Sequence, residues 1–73
     1  MNIKELKNLS LSQLQSRRAR VMANWEHQVS LTEYYRNGNL TSKYEKSLAT
    51  VNELIDALNL IDEAIAYQKE QHP

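Results

Sequence analysis

The stretch YEKSLATVNELIDALNLIDEAIAY, residues 44–67, decides the fold of this chain. It has no Gly or Pro, and large apolar residues recur at steps of three and four: Val51, Leu54, Ile55, Leu58, Ile61 and Ile65. That spacing predicts an amphipathic α-helix. At about 100° per residue, the large side chains from Leu48 to Ile65 fill an arc of roughly 140°, which Ala57 and Ala64 widen to about 200°. One neighbouring helix needs a stripe of about 100°, so this helix has apolar surface for more than one neighbour.

A second amphipathic helix precedes this stretch. Ser10 and Gln13 fit a capping box, which predicts a helix from Leu11 to about Arg36. One narrow stripe holds most of its apolar residues: Leu11, Leu14, Val21, Met22, Trp25 and Val29. Further upstream, Ile3, Leu6 and Leu9 recur at steps of three and predict a short extra helix, docked or frayed.

The only Gly of the chain marks the turn between the two long helices. Asn37-Gly38-Asn39 predicts a helix end with Gly38 in the left-handed conformation. Ser42-x-x-Glu45 spells a second capping box, so the next helix is expected to begin with a cap at Thr41 or Ser42. So short a turn folds the helices back on each other. The prediction is one all-α domain over residues 1–73, an antiparallel two-helix hairpin with helices at about 11–36 and 42–69 and a turn at 37–41.

Composition limits what can support so small a core. The 73 residues include no Cys, which excludes disulfides and thiolate metal sites, and only His27 and His72 offer an imidazole. A chain of this size commonly needs added support, so we expect it from another subunit. The start of the chain lacks the apolar run of a secretory signal, and no run of apolar residues reaches membrane-spanning length, which favours a cytoplasmic protein.

Nothing in the sequence predicts catalysis or a cofactor. The chain has no Cys nucleophile and no Gly-rich phosphate loop. Glu45, Asp56 and Glu63 share one side of the second helix but lack the Glu-x-x-His spacing of carboxylate metal sites, so they are interpreted as a solvated face. We therefore predict no enzyme activity, no metal and no cofactor.

Charged residues leave two interpretations to weigh. Arg17-Arg18-Ala19-Arg20 could contact phosphates, but the net charge is zero and the arginines spread around the helix, so nucleic-acid binding ranks a distant third. Arg18 lies near the centre of the apolar stripe. It either extends its stem with the guanidinium at the seam edge, or forms an ion pair with Asp62, Glu63 or a partner's carboxylate.

The surplus apolar surface suggests where a partner binds. The first helix is just wide enough to cover the centre of the second helix's arc, near Val51, Ile55 and Leu58. Partner contacts are therefore predicted at the margin of the arc and on a second face of the first helix: Leu54, Ile61, Ile65, Leu31, Tyr34 and Tyr35. Trp and Tyr are favoured residues at interfaces.

The second half of the chain also carries a family-like pattern. A loop glycine, a tyrosine six residues on, and Leu-x-x-Ala-Leu-x-Leu-Ile ten residues later are present as Gly38, Tyr44, Leu54, Ala57, Leu58, Leu60 and Ile61. Over residues 38–61 the chain resembles the small helical-hairpin co-chaperones of type III secretion needle subunits, although the Gln that commonly follows the tyrosine is Glu45 here.

The resemblance implies a bacterial, cytoplasmic, non-enzymatic protein. It would bind a second chaperone built of tetratricopeptide-like helical repeats, which holds the needle subunit before export. The alternative is a small phage or regulatory protein that inhibits or recruits a target through the same apolar faces. Either could form a homodimer in isolation.

Overall fold

The computed structural model describes residues 2–71, and all of the secondary structure in that range is helical. The elements are α1 (Ile3–Lys7), α2 (Leu11–Asn37) and α3 (Thr41–Gln71). The two long helices pack antiparallel against each other, and α1 packs on α3. The predicted all-α hairpin with an additional N-terminal helix is therefore confirmed. Its shape is elongated, with extents of 49 × 17 × 13 Å.

The two long helices meet along a seam that follows the coiled-coil spacing of alternate three- and four-residue steps. Every residue at that spacing in α2 is buried or half-buried: Leu11, Leu14, Arg18, Val21, Trp25, Gln28, Thr32 and Tyr35. The same holds for the matching residues in α3: Tyr44, Ser47, Val51, Leu54, Leu58, Ile61, Ile65 and Gln68. Two cross-helix contacts, Arg18 with Asp62 and Thr32 with Ser47, fix how the helices are aligned.

The start of α2 is built as its sequence predicts. The Ser10 hydroxyl accepts from the Gln13 backbone N–H at 3.1 Å, and the Gln13 side chain accepts from the Ser10 N–H at 2.9 Å. This reciprocal capping box satisfies two N–H groups that the first helical turn leaves without partners.

The turn differs from the prediction in both of its details. Gly38 has φ −87°, outside the left-handed region, and Asn39 has φ 58° instead. The predicted cap of α3 is also wrong, because α3 begins at Thr41 and the Leu40 carbonyl already accepts from the Tyr44 N–H at 2.8 Å. Since Asn39 completes the reversal, Ser42 lies inside the first turn, and its side chain forms no hydrogen bond with Glu45 within residues 2–71.

The fully buried core lies at the end of the hairpin away from the turn. It comprises Leu6, Leu14, Ile61 and Ala64, with Ile3, Leu9, Val21, Leu60 and Ile65 packed around it. The Gln68 amide fastens α1 there by donating to the Lys7 and Leu9 carbonyls at 2.6 and 2.9 Å. The Lys7 ammonium also lies 4.7 Å from the centre of the Tyr67 ring. The short helix is therefore docked rather than frayed.

The structure also bears on the absence of a membrane-spanning run and on one of the two histidines. Among residues 2–71, no helix is both long and apolar enough to cross a membrane. His72, one of the two imidazoles in the sequence, lies outside the described residues.

Candidate protein-binding surface

Arg18 marks one edge of the seam. Its Nε donates to the Asp62 carboxylate at 2.7 Å, and the two side chains remain 39% and 51% exposed. Of the two interpretations of Arg18, the structure therefore confirms the ion pair with Asp62. Because the pair is open to solvent, it contributes little to stability, about 1 kcal/mol or less. The pair also shows which edge of α3 lies next to Arg18, namely the edge that carries Asp62.

Along that same edge of α3, two large apolar side chains are partly exposed to solvent. Ile55 is one heptad before Asp62, and Leu48 is one heptad before Ile55. They are 39% and 38% exposed. Residues seven apart in a coiled coil lie on one line, so both belong to the edge that Arg18 reaches.

A matching pair lies on α2. Met22 and Val29 are also seven apart, and both are half-buried. Met22 follows Arg18 by one helical turn, and i, i+4 residues are surface neighbours. We call Met22, Val29, Leu48 and Ile55 the apolar strip.

The alignment of the helices brings the two halves of the strip together. With Arg18 level with Asp62 and Thr32 level with Ser47, the four residues alternate between the helices in the order Leu48, Val29, Ile55 and Met22. In an antiparallel coiled coil, the residues that follow the seam on one helix adjoin their equivalents on the other. The apolar strip is therefore continuous along one side of the hairpin.

The opposite side of the seam is polar and aromatic. A shallow groove there is lined by Gln28, Tyr35, Lys43, Lys46, Ser47 and Thr50. The Lys43 ammonium lies 6.0 Å from the centre of the Tyr35 ring, and that ring meets the Tyr34 ring edge-on at 5.8 Å. Tyr34 is 69% exposed, and Leu31 is half-buried one turn earlier. Of the predicted contact residues on α2, Tyr34 is thus exposed and Leu31 and Tyr35 are half-buried, all on the other side of the seam from the apolar strip.

The predicted margin of α3 is wrong in its geometry. Ile61 is 0% exposed in the core with Leu6 and Leu14, and Ile65 packs against that core. Leu54 is a half-buried seam residue. Conversely, Ile55 was expected at the covered centre and is exposed. Ile61 is therefore not a free margin within this fold, whereas Leu54 and Ile65 are partly covered and their predicted partner contacts stay predictions.

The error has a physical cause. An apolar arc of about 200° is wider than one neighbouring helix covers, so the arc by itself does not determine which part of it faces α2. The prediction placed Ile55 in the covered part, whereas α2 packs against the part of α3 that holds Ile61. The signal that finds the strip is the unbroken three-four alternation from Tyr44 to Gln68, which puts Leu48 and Ile55 one position beyond the seam.

The half of the seam nearer the turn is less apolar than the core end. Thr32 and Ser47 face each other there, with their hydroxyl oxygens 2.6 Å apart, and the Thr32 hydroxyl donates to the Gln28 carbonyl at 2.7 Å. The hydroxyls are therefore satisfied inside the seam. Trp25 lies on the same seam, and its buried indole Nε1 has no hydrogen-bond partner. This half of the hairpin consequently buries fewer large apolar groups.

The described residues form no assembled metal site. Among residues 2–71, no group of three or more His, Asp or Glu side chains is arranged to hold a metal ion. The groove beside the turn, lined by Tyr35, Arg36, Asn39, Leu40, Thr41 and Tyr44, is open to solvent.

Comparison with known proteins yields no relative for this chain: no family model, no curated protein and no solved structure matches it.

Proposed function

We propose that this protein is a non-enzymatic helical binding module, and that the apolar strip is the surface on which a helix of a partner protein packs. The single observation that carries the proposal is the exposure of Leu48 and Ile55 beside Met22 and Val29. Two antiparallel helices leave a groove along each side of their seam, and a third helix in that groove completes a bundle. At the other end of the hairpin, α1 packs on α3 and buries Leu6 in a cluster with Leu14 of α2 and Ile61 of α3.

The size of the strip suggests how a partner gains affinity. Full burial of a Leu or Ile side chain contributes about 1.5–3 kcal/mol, so the exposed fractions of Leu48 and Ile55 offer roughly 1 kcal/mol each. Met22 and Val29 add less because they are further buried. The strip by itself supports only weak binding, so a specific partner needs polar contacts along the rim as well.

Within this class, the more specific proposal is a bacterial cytoplasmic co-chaperone of type III secretion. It is supported by the similarity of residues 38–61 to that family and by the hairpin architecture, which is compatible with it. Its partner would then be a chaperone of tetratricopeptide-like repeats, whose stacked helices offer grooves and ridges to an apolar helix face.

Site-specific cross-linking tests the proposal. A photoreactive residue replaces Ile55 in the native host, and a matched variant carries it at Ser30, which is exposed and lies away from the seam. We expect a cross-linked protein at position 55 that is absent at position 30. The purified partner should bind wild type, and Leu48→Gln should weaken that binding by about fivefold, the equivalent of roughly 1 kcal/mol.

The identity of that protein separates the candidates. A helical-repeat chaperone supports the secretion co-chaperone, whereas another target supports a phage or regulatory protein. Equal labelling at both positions, or undiminished binding of Leu48→Gln, contradicts the binding role of the strip.

A further inference from the structure

The charges around the apolar strip differ from those elsewhere on the hairpin. On α2, Glu26 follows Met22 by four residues and Glu33 follows Val29 by four; on α3, Glu45 precedes Leu48 by three. At those spacings they are surface neighbours of the strip, on its outer rims. All three are exposed. The strip is thus bordered by negative charge on both helices along the half nearer the turn.

These three glutamates have no ion-pair partner within the described part of the chain. The single salt bridge found among residues 2–71 joins Arg18 and Asp62. The bases closest to the strip along its two edges are Arg36, beyond Val29 at the turn, and Arg18, which is already paired. The remaining rim positions next to Ile55 are neutral, Asn52 and Asn59. The rim charge is therefore available to a ligand.

From this arrangement, and resting on the proposed function, we infer that the strip takes an amphipathic helix whose apolar face is flanked by Lys or Arg. Apolar residues of that helix would fill the groove between α2 and α3, and its bases would reach Glu26 and Glu33 on one rim and Glu45 on the other. Complementary charge of this kind selects among partners and fixes the direction in which a helix lies. It also supplies the polar contacts that the small apolar area requires.

A second copy of the chain fits the strip less well. In an isologous dimer the strip packs on itself. If the two copies run parallel, Glu26 and Glu33 of each face the acidic half of the other. If they run antiparallel, the acidic half faces the neutral half with Asn59. Apart from Arg36 at the turn, neither arrangement brings an unpaired base to the three glutamates, so charge complementarity favours a different, basic helix.

Synthetic helices test the inference directly. Three peptides of about three heptads share leucines at the seam positions and differ only in the flanking residues, which are Lys, Gln or Glu. Trp25 is the only Trp of the chain and neighbours Met22 and Val29 along α2, so its fluorescence reports binding at the strip. We expect the Lys peptide to bind about tenfold more tightly than the Gln peptide and more tightly still than the Glu peptide. Added salt should shrink the difference, since salt screens exposed charges.

Two sets of variants separate the strip from its rim. Replacing Glu26, Glu33 and Glu45 together by Gln should remove the preference for Lys and leave binding of the Gln peptide unchanged. The matched control replaces Glu53, Glu63 and Glu70 by Gln, which are exposed and lie off the rim, and should retain the preference. Leu48→Gln with Ile55→Gln should abolish binding of all three peptides.

The outcomes distinguish the two proposals. Binding of the three peptides with equal affinity, lost with Leu48→Gln and Ile55→Gln, overturns the choice of a basic helix and leaves the docking role intact. Binding that survives those two substitutions, or no binding by any peptide, contradicts the strip itself. A wild-type dimer in sedimentation that these substitutions convert to monomer shows that the occupant is a second copy, which also overturns the inference.

Discussion

At the scale of single residues, the turn depends on Asn39. Among residues 2–71 it is the only residue with positive φ, at 58°. Asn adopts the left-handed region several times more readily than most residues, and Gly adopts it freely. A Cβ on Gly38 would meet the Tyr34 carbonyl at 3.5 Å and Leu40 at 3.7 Å, which are ordinary contacts. The chain reversal therefore requires the left-handed conformation at Asn39 and not at Gly38.

We predict that Asn39→Val lowers the free energy of unfolding by about 1–3 kcal/mol, because a β-branched residue is strained in the left-handed region. Gly38→Ala should change it by less than about 1 kcal/mol, since that position is right-handed. Asn39→Gly is the control that keeps the turn. Thermal melting of the three variants measures the effect. A costly Gly38→Ala beside a harmless Asn39→Val would show that Gly38 is the left-handed residue after all.

The two capping predictions show what local sequence can and cannot predict. The box at Ser10 and Gln13 is confirmed because its hydrogen bonds join residues three apart and need no distant contact. In the turn, Asn37, Gly38 and Asn39 were all candidates for the left-handed residue, because Gly and Asn both tolerate positive φ. Which of them adopts it depends on how α3 packs back on α2, and that is a tertiary contact.

At the scale of elements, the five-residue helix α1 contributes to the buried core. It buries Leu6 against Leu14, Ile61 and Ala64, and its end is held by the amide of Gln68. The three-residue spacing of Ile3, Leu6 and Leu9 predicts the helix but does not predict where it docks. Its docking on α3 completes the buried cluster around Ile61, which already lies in the seam with α2.

We predict that Gln68→Leu destabilises the protein by about 1–3 kcal/mol, because the carbonyls of Lys7 and Leu9 lose their donor and stay partly buried. Gln15→Leu is the matched control, since Gln15 is exposed on α2 and forms no hydrogen bond through its side chain within residues 2–71. Denaturant unfolding compares the two. Equal effects would mean that Gln68 does not fasten α1.

The width of the apolar arc sets a limit on sequence reasoning at this scale. The apolar spacing predicts both long helices, and the short turn predicts their antiparallel packing; the structure confirms both. Which part of the wide arc on α3 faces α2 is decided by how the two helices pack, and that is a tertiary contact. The structure buries Ile61 and leaves Ile55 39% exposed, the reverse of the prediction.

At the scale of the whole molecule, packing is uneven along a long, thin body. The radius of gyration is 15.0 Å, against about 11 Å for a compact domain of this length. The fully buried apolar cluster lies at the α1 end, and the hydroxyls of Thr32 and Ser47 interrupt the apolar seam nearer the turn. Local stability should follow this distribution, because local opening exposes less apolar surface where less is buried.

We predict that backbone amides of residues 60–65 exchange with solvent more slowly than those of residues 46–51, although both segments are interior to α3. Native-state hydrogen exchange measures this difference. Leu6→Ala should reduce this difference in exchange rate, because it lowers the local stability of residues 60–65. Uniform exchange along α3 would contradict a core concentrated at the α1 end.

The division between core and docking surface can be tested in one measurement, denaturant unfolding with and without the Lys-flanked peptide. Peptide at about 100 times its Kd should stabilise wild type by about 2.7 kcal/mol. Ile61→Ala should lose about 2–5 kcal/mol of intrinsic stability and keep the stabilisation by peptide, with Ile61→Val, at about 0.5–1.5 kcal/mol, as the milder variant. Ile55→Ala should lose less intrinsic stability than Ile61→Ala, about 1–2 kcal/mol, because the side chain is 39% exposed, and should reduce the stabilisation by peptide by about 1 kcal/mol. The opposite result would be that Ile55→Ala unfolds the protein, whereas Ile61→Ala or Ile61→Val leaves it stable but no longer stabilised by the peptide. That result would show that the two faces are reversed and that the apolar strip is not the docking surface.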